Sequence, residues 1–469
     1  MTRQRALEAA SGHFSSGDFV AELDRRVGFR TESQAPGKAA VLRAYLEEEM
    51  RPALDRMGFT SRVASAPGGG EEIFLVARRQ EGDALPTVLM YGHGDVVAGM
   101  EGRWRDGIDP WRVTVAGDRL YGRGTADNKG QHAINLAALA EVLRVREGRL
   151  GFNVALILEM GEETGSPGLR AMCEAAREEL AADLLVASDG PRLSADQPTV
   201  FLGSRGGLRI HLDLALRDGA HHSGNWGGLL ANPATILASA IAGMVDARGR
   251  ILVERLRPPP IPDDVRAALS GVALRPGADE PAISEGWGEP GLSGAERLYG
   301  WNTLEVLALH AGDTRAPVNA IPGAAEAVLQ LRTVVGTDAD GVADAVRAHL
   351  DAHGFAAVGV RVSNRFNATR TDLGNPWVGW AAESIRRTTG QAPALLPNFG
   401  GSLPNDVFAE VLGLPTLWIP HSYPGCCQHA PDEHLPGPLA EEALRIMAGL
   451  FWDLGEPGRP PVARAGVAS

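Results

Sequence analysis

The stretch Thr87-Val88-Leu89-Met90-Tyr91-Gly92-His93-Gly94-Asp95-Val96-Val97 decides how the chain is read. Its first half is an apolar run of strand length; its second half is a glycine-spaced loop carrying a His and an Asp two residues apart. A buried strand running into such a loop is how open α/β sheets present their chemistry, at the carboxyl ends of their strands. A solvated turn gains nothing from His-x-Asp. A metal centre does, because the imidazole supplies a ligand nitrogen and a nearby carboxylate orients it or tunes bound water.

The pattern recurs downstream. Val154 to Glu159 is another continuous apolar run, and it ends in Met160-Gly161-Glu162-Glu163-Thr164-Gly165-Ser166. Adjacent carboxylates there repel each other unless a cation or a proton lies between them. The plain alternative is favourable placement at the start of the next helix, worth about 0.3–1 kcal/mol. A cation explains more: one carboxylate ligates while its neighbour serves as base toward a metal-bound water. A third strand pattern, Leu184 to Ser188, ends at Asp189. Between these runs, Gly122-Arg123-Gly124-Thr125-Ala126-Asp127-Asn128-Lys129-Gly130 presents Asp127 just ahead of a helical pattern through Ile134, Leu136, Leu139, Val142 and Leu143. Capping that helix is the competing role for Asp127. The loop is no P-loop, since no Lys-hydroxyl pair comes after its glycines. His93, Asp127, Glu162, Glu163 and Asp189 form a set that no single capping argument covers.

At 469 residues the chain exceeds what one core supports, so two or three domains are expected. The net charge of -13 argues against nucleic acid or an anionic membrane as partner. No apolar run reaches about 18 residues, and Met1 to Phe19 lacks a signal-peptide core, so a cytoplasmic protein is expected. Cys173, Cys426 and Cys427 make no disulfide framework; the vicinal pair reads as loop thiols.

Helical spacing covers residues 17–29 and 36–58, and strands are read at 61–63 and 73–77. After Phe201 the period changes. Leu208, Ile210, Leu212, Leu214 and Leu216 alternate with Arg209, His211, Asp213, Ala215 and Arg217, the mark of a strand with one solvated face. Strands at 304–309 and 327–332, with helices at 233–247 and 339–353, complete an inserted α+β domain over 203–370. Residues 248–302, rich in Pro and Gly, read as a looped insertion with little regular structure. Helix 376–389, strand 414–419 and helix 438–454 return the chain to the first domain, and 455–469 reads as a loose tail. The fold class is therefore α/β. A catalytic domain, residues 1–202 and 371–469, holds a mixed, mostly parallel sheet flanked by helices, and the 203–370 domain is inserted into it.

These blocks, together with Ser188-Asp189-Gly190 and His429-Ala430-Pro431-Asp432-Glu433, resemble the co-catalytic di-metal peptidase family of aminoacylases, carboxypeptidases and carnosine dipeptidases. The resemblance runs from about residue 20 to 454. It implies two divalent metal ions, zinc first with manganese or cobalt as alternatives, bridged by Asp127 and a water. His93 and Asp189 would complete one site, Glu163 and His429 the other, and the Asp127-Asn128 peptide bond would be cis. It gives Glu162 as general base and acid and Asp95 as the carboxylate holding His93. The inserted domain resembles the family's lid, which forms a homodimer. There His222, with His221 as second candidate, matches the histidine that reaches the partner's site; Ala220 stands where the dipeptidase branch usually carries an acid. Asn319 and Arg332 match substrate-binding positions, with Arg332 on a carboxylate, and Gly400-Gly401-Ser402-Leu403-Pro404 resembles the loop that binds substrate backbone. His421 is a further candidate pocket residue. The function implied is hydrolysis of a dipeptide with a free carboxylate. A deacylase of N-acyl or N-carbamoyl amino acids and a non-catalytic carboxylate-binding protein are the alternatives.

Overall fold

Every residue of the Thr87–His93 and Asn153–Glu159 strands is buried, as continuous apolar runs require when both faces of a sheet are covered. The computed structural model describes residues 1–68, 70, 72–274 and 281–460. Eight strands form the large sheet, in the order Thr60–Ser65, Ile73–Arg79, Asn153–Glu159, Thr87–His93, Leu184–Ala187, Thr416–Trp418, Thr199–Phe201, Ala394–Leu396. Four of its seven pairings are parallel, which makes the sheet mixed and mostly parallel, as expected.

Alternate residues of each central strand feed two separate cores. Val88, Met90, Val154, Leu156, Leu184 and Val186 face one core, while Leu89, Tyr91, Ala155, Ile157, Leu185 and Ala187 face the other. On the first side lie the helices Arg3–Ser15, Lys129–Val145, Pro376–Thr389 and Gly437–Leu454. Full burial of a Leu or Phe is worth about 1.5–3 kcal/mol, and Gly437–Leu454 buries Leu444, Leu450 and Phe451 completely. Leu169–Ala175 packs on the second side.

A second sheet of four antiparallel strands, Thr303–His310, Ala324–Thr333, Gly206–Ala215 and Gly359–Phe366, holds its own core against the helices Pro233–Met244 and Val342–Ala352. Leu208, Ile210, Leu212 and Leu214 turn inward, as their alternation predicts.

Three details depart from the sequence reading. The helix Arg3–Ser15 was not anticipated: its buried stripe is only Ala6, Leu7 and Ala10, and it is fixed from outside by the Arg3–Asp453 ion pair at 3.0 Å. The single helix expected over 36–58 is two α-helical pieces, Ala39–Ala44 and Arg51–Arg56, joined by a π-helical turn at Tyr45–Met50. The 248–302 stretch is less irregular than its composition suggests. Helices Asp263–Leu269 and Gly294–Tyr299 place Val265, Leu269, Ala295 and Tyr299 in the second core of the large sheet. Residues 275–280, and 461–469 of the tail, lie outside the described residues. Among the described residues no helix is long and apolar enough to cross a membrane.

Candidate active site

Three neighbouring parallel strands end side by side, so the loops that leave them are brought to one edge of the sheet. His93 is the last residue of its strand, Asp189 lies just past Leu184–Ala187, and Glu162 and Glu163 lie in a short 3-10 turn after Asn153–Glu159. Asp127 comes from the loop before the Lys129–Val145 helix. Its neighbour Asn128 holds the N-cap position, so the side chain of Asp127 is not spent on capping.

The Asp127 carboxylate lies between two imidazoles. Its Oδ1 is 3.2 Å from His93 Nε2 and its Oδ2 is 3.2 Å from His429 Nε2. His429 Nε2 is also 3.1 Å from Glu163 Oε2, and His93 Nε2 is 3.7 Å from Asp189 Oδ2 and 4.0 Å from Glu162 Oε2. Two triads result, His93–Asp127–Asp189 and Asp127–Glu163–His429, each close enough to offer three ligand atoms to one ion. The Asp127–Asn128 peptide bond is cis. Behind His93, Asp95 Oδ1 is 3.3 Å from Nδ1, and the backbone carbonyl of Asp95 accepts from the same nitrogen at 3.1 Å. The Asp95 carboxylate also accepts from the backbone N–H groups of Glu162 and Glu163, both at 3.2 Å.

The electrostatics favour a cation. Asp95, Asp127, Glu162, Glu163 and Asp189 crowd round two imidazoles, and Asp189 Oδ2 and Glu163 Oε1 are buried without a hydrogen-bond partner. Burial works against charge on His93, yet Asp127, Asp95 and Asp189 raise its pKa well above the ordinary imidazole value. Hydrogen bonds to Asp127 and Glu163 push His429 up to about 11. Burial, with Asp127 beside it, pushes Asp189 up to about 7. Burial also raises Glu162 well above the usual carboxylate range, and neighbouring Asp189 and Glu163 add to the shift. Protons are held here because acids outnumber imidazoles. Divalent cations would take over that charge balance and leave both imidazoles neutral, the form in which histidine ligates. The carboxylate and imidazole donor set suits zinc, manganese and cobalt alike.

Several supporting groups were not singled out from sequence. Glu433, only 1% exposed, accepts from the backbone N–H groups of Gly124, Ala126 and Asp127 at 2.9–3.1 Å and pairs with Arg123 Nη1 at 2.7 Å. It thereby shapes the loop that carries Asp127. Gly130 is fixed by the same loop, since a Cβ there would stand 1.9 Å from the Thr125 carbonyl oxygen. Ser33 Oγ donates to Asp95 Oδ2 at 2.7 Å, and Gln34 Nε2 donates to the Glu163 carbonyl at 3.1 Å. Glu433 was visible only as the last residue of its block, and Ser33 and Gln34 gave no signal in a polar connection.

Of the residues expected to touch substrate, two meet. Arg332 Nη1, from the smaller sheet, donates to Ser402 Oγ at 2.6 Å, and Gly401 is half-buried in the same loop. His222 and Asn319 are exposed. His222 pairs with Ala320 across a two-residue ladder and accepts from the Gly224 N–H, while the Asn319 carbonyl accepts from Ser223 N. Among the described residues, no hydrogen bond or ion pair links His222 or Asn319 to the His93 cluster. His421 is not a pocket residue: it is fully buried and bonded to Ser188 Oγ and Asn135 Oδ1, both at 3.0 Å. Cys426 is buried, and burial pushes its thiol up to about 12, which leaves it inert.

Burial holds His421 well below the ordinary imidazole value. The unfolded chain protonates this residue near pH 6.5 and the folded chain only at lower pH, so its contribution is complete above about pH 6.5 and is lost on acidification. Between pH 7 and 5 the melting midpoint of His421→Gln should therefore fall less steeply than that of the wild type. Parallel slopes in thermal melts would show that His421 is not buried neutral.

Residues 89–453 match the peptidase family M20/M25/M40. The Beta-Ala-His dipeptidase of Rattus norvegicus is 31% identical over 250 residues, a match that spans half of this chain and half of that protein. The Beta-Ala-His dipeptidase of Homo sapiens is 25% identical over 480 residues, covering 94% of this chain and 90% of that one. A metallo-carboxypeptidase of Sulfolobus solfataricus, Sso-CP2, shares the fold with a TM-score of 0.81 at 24% identity, covering 93% of this chain and 99% of that one. With a match through most of its length, the chain belongs to peptidase family M20/M25/M40, as an enzyme of dipeptidase-like type.

Proposed function

We propose that the chain hydrolyses the amide bond of a dipeptide or similar small substrate with a free carboxylate, using two divalent ions. His93 and Asp189 would hold one ion and Glu163 and His429 the other, with Asp127 shared between them. The observation that carries this reading is the pair of triads meeting at Asp127. Bound there, the ions supply Lewis acidity toward the amide carbonyl and lower the pKa of the attacking water. Zinc is the first ion to test.

Glu162 is the group placed to move the proton. It lies 4.0 Å from His93 and belongs to neither triad, and burial raises its pKa above the usual carboxylate value. It accepts the proton of the attacking water and returns it to the leaving amine. Asp95 fixes the His93 ring and, through two backbone N–H groups, the turn that holds Glu162. Arg332 takes the substrate carboxylate, with Ser402 holding one edge of its guanidinium and leaving the rest for the ligand. Gly401 and Asn319 line the substrate path.

His222 completes the site from the second subunit of a homodimer, meeting the charge that develops on the carbonyl oxygen. Its exposure supports that role. The outer strand of the smaller sheet, Thr303–His310, exposes Val306, Leu307 and Leu309, the apolar edge that a second copy would cover. The unbridged thiols of Cys173 and Cys426 suit a cytoplasmic enzyme.

The test is a panel of dipeptides and N-acyl amino acids offered to metal-stripped protein resupplied with zinc, manganese or cobalt. Metal-dependent cleavage of dipeptides is expected; cleavage confined to N-acyl amino acids would make the enzyme a deacylase instead.

A further inference from the structure

The smaller sheet covers one face with helices and leaves the other bare, and the bare face is cationic where it meets the metal-cluster turn. On Gly206–Ala215 the face without helices carries the buried Gly207, the exposed Arg209 and the half-buried His211, alternating with the inward Leu208, Ile210 and Leu212. Gly207 pairs with Arg332 and Arg209 with Gln330 on the next strand. Arg209 and Arg332 are therefore diagonal neighbours on one face, about 7–8 Å apart. Arg361, opposite His211, adds a third cation.

None of the three arginines enters an ion pair among the described residues, and the only hydrogen bond from a guanidinium of this set is Arg332 to Ser402. The nearest acid across the sheet, Glu305, is separated from Arg209 by Gln330, and the cation acting on it is Arg205. Asp213 and Glu326 face each other farther along the strands. Three unpaired guanidiniums on one face stand out in a chain whose net charge is -13. Their field reaches His211, which burial and then Arg361 and Arg209 hold below the ordinary imidazole value.

The patch is also in reach of the chemistry. A Cβ on Gly165, two residues past Glu163, would stand 3.6 Å from Phe366 Cζ, and Phe366 pairs with Gly207, which pairs with Arg332. Phe366, Gly207 and Arg332 form a row across three strands, so Arg332 lies about 10 Å from Phe366 at ordinary strand spacing. Arg209 lies two residues along from that row. A small peptide spans such a distance.

We infer that the enzyme selects dipeptides whose C-terminal residue is Asp or Glu, with Arg332 on the main-chain carboxylate and Arg209 on the side-chain carboxylate. This rests on the reading of Arg332 as the substrate-carboxylate residue. A side-chain acid gains a charge-assisted hydrogen bond that its amide counterpart forms only weakly.

The experiment compares kcat/KM for Ala-Glu with Ala-Gln, and for Ala-Asp with Ala-Asn, in the wild type, Arg209→Gln and Arg209→Lys. The wild type should favour the acid by about tenfold or more, mainly through KM, and high salt should reduce the ratio. Arg209→Gln should bring the ratio near one, and Arg209→Lys should restore part of it. A wild-type ratio near one, or a preference that survives Arg209→Gln, overturns the inference. Thermal shift by glutarate against butyrate reads the same patch without turnover. Glutarate should raise the melting point more than butyrate in the wild type, and the difference should disappear in Arg209→Gln. If no dipeptide is cleaved with any metal, the hydrolytic reading fails, and the glutarate difference alone decides whether Arg209 and Arg332 bind a dicarboxylate.

Discussion

Glu162→Gln should lower dipeptide hydrolysis by about 10²–10⁴-fold while the protein still takes up its metal ions, because a positioned general acid and base contributes on that scale. The split between catalysis and binding comes from geometry. Glu162 belongs to neither triad, whereas Asp127, which belongs to both, is within 3.2 Å of each imidazole. Gln keeps the size and the hydrogen-bonding shape of the side chain and removes only its capacity to hold a proton. The loss should fall on kcat, with KM little changed. A variant that loses both metals along with activity would place Glu162 among the ligands, and one that retains wild-type turnover would remove it from the mechanism.

The second large effect is expected at a residue that touches no substrate. Glu433→Ala should destabilise the protein by about 3–5 kcal/mol, since it strands the buried Arg123 guanidinium without its partner. It also leaves the N–H groups of Gly124, Ala126 and Asp127 without their acceptor, and these groups set the position of Asp127. Metal affinity should therefore drop by about 10–100-fold, the usual consequence of removing a group that orients a ligand. Denaturant unfolding and metal titration check the two effects separately. Glu433→Gln, which keeps one acceptor oxygen, should fall between Ala and wild type. A Glu433→Ala protein with unchanged stability and metal affinity would mean that the loop is held by other contacts.

The sequence was most legible where one physical requirement governs a run of residues. The strands at Thr87–His93 and Asn153–Glu159 are buried on both faces, so their composition alone marks them, and the acids and His93 at their ends are found by position. The alternation from Leu208 to Leu214 likewise marks a sheet with one covered face. Legibility failed where the determining contact is remote. The helix Arg3–Ser15 owes its place to Asp453, some 450 residues away, and its buried stripe is only Ala6, Leu7 and Ala10. The π-helical turn at Tyr45–Met50 interrupts a regular apolar pattern, and Tyr45 reaches across it to His132 Nε2 at 2.7 Å. Proline and glycine between 248 and 302 indicated irregular chain, yet Val265, Leu269 and Tyr299 find a core in the larger sheet.

The site divides in the same way. His93, at a strand end, and Asp127, Glu162, Glu163 and Asp189, as strand-end and loop acids, are distinguishable by position, and the structure brings them together with His429. Ser33 and Gln34 act through single hydrogen bonds and Glu433 through several, all from distant segments, and such contacts leave no periodic trace. His421 reads as a pocket candidate because it is a histidine at a strand end, but its hydrogen bonds go to Ser188 and Asn135, and it is fully buried.

Whether Asp127 joins two metal sites is tested most directly by the metal content of stripped and resupplied protein, measured by elemental analysis for the wild type and Asp127→Ala beside dipeptide hydrolysis. Two ions per wild-type chain, with hydrolysis appearing only as the second is bound, and loss of both binding and activity in Asp127→Ala, is the predicted result. A wild-type chain that binds no divalent ion, or an Asp127→Ala chain that still binds two and turns over, would contradict the account.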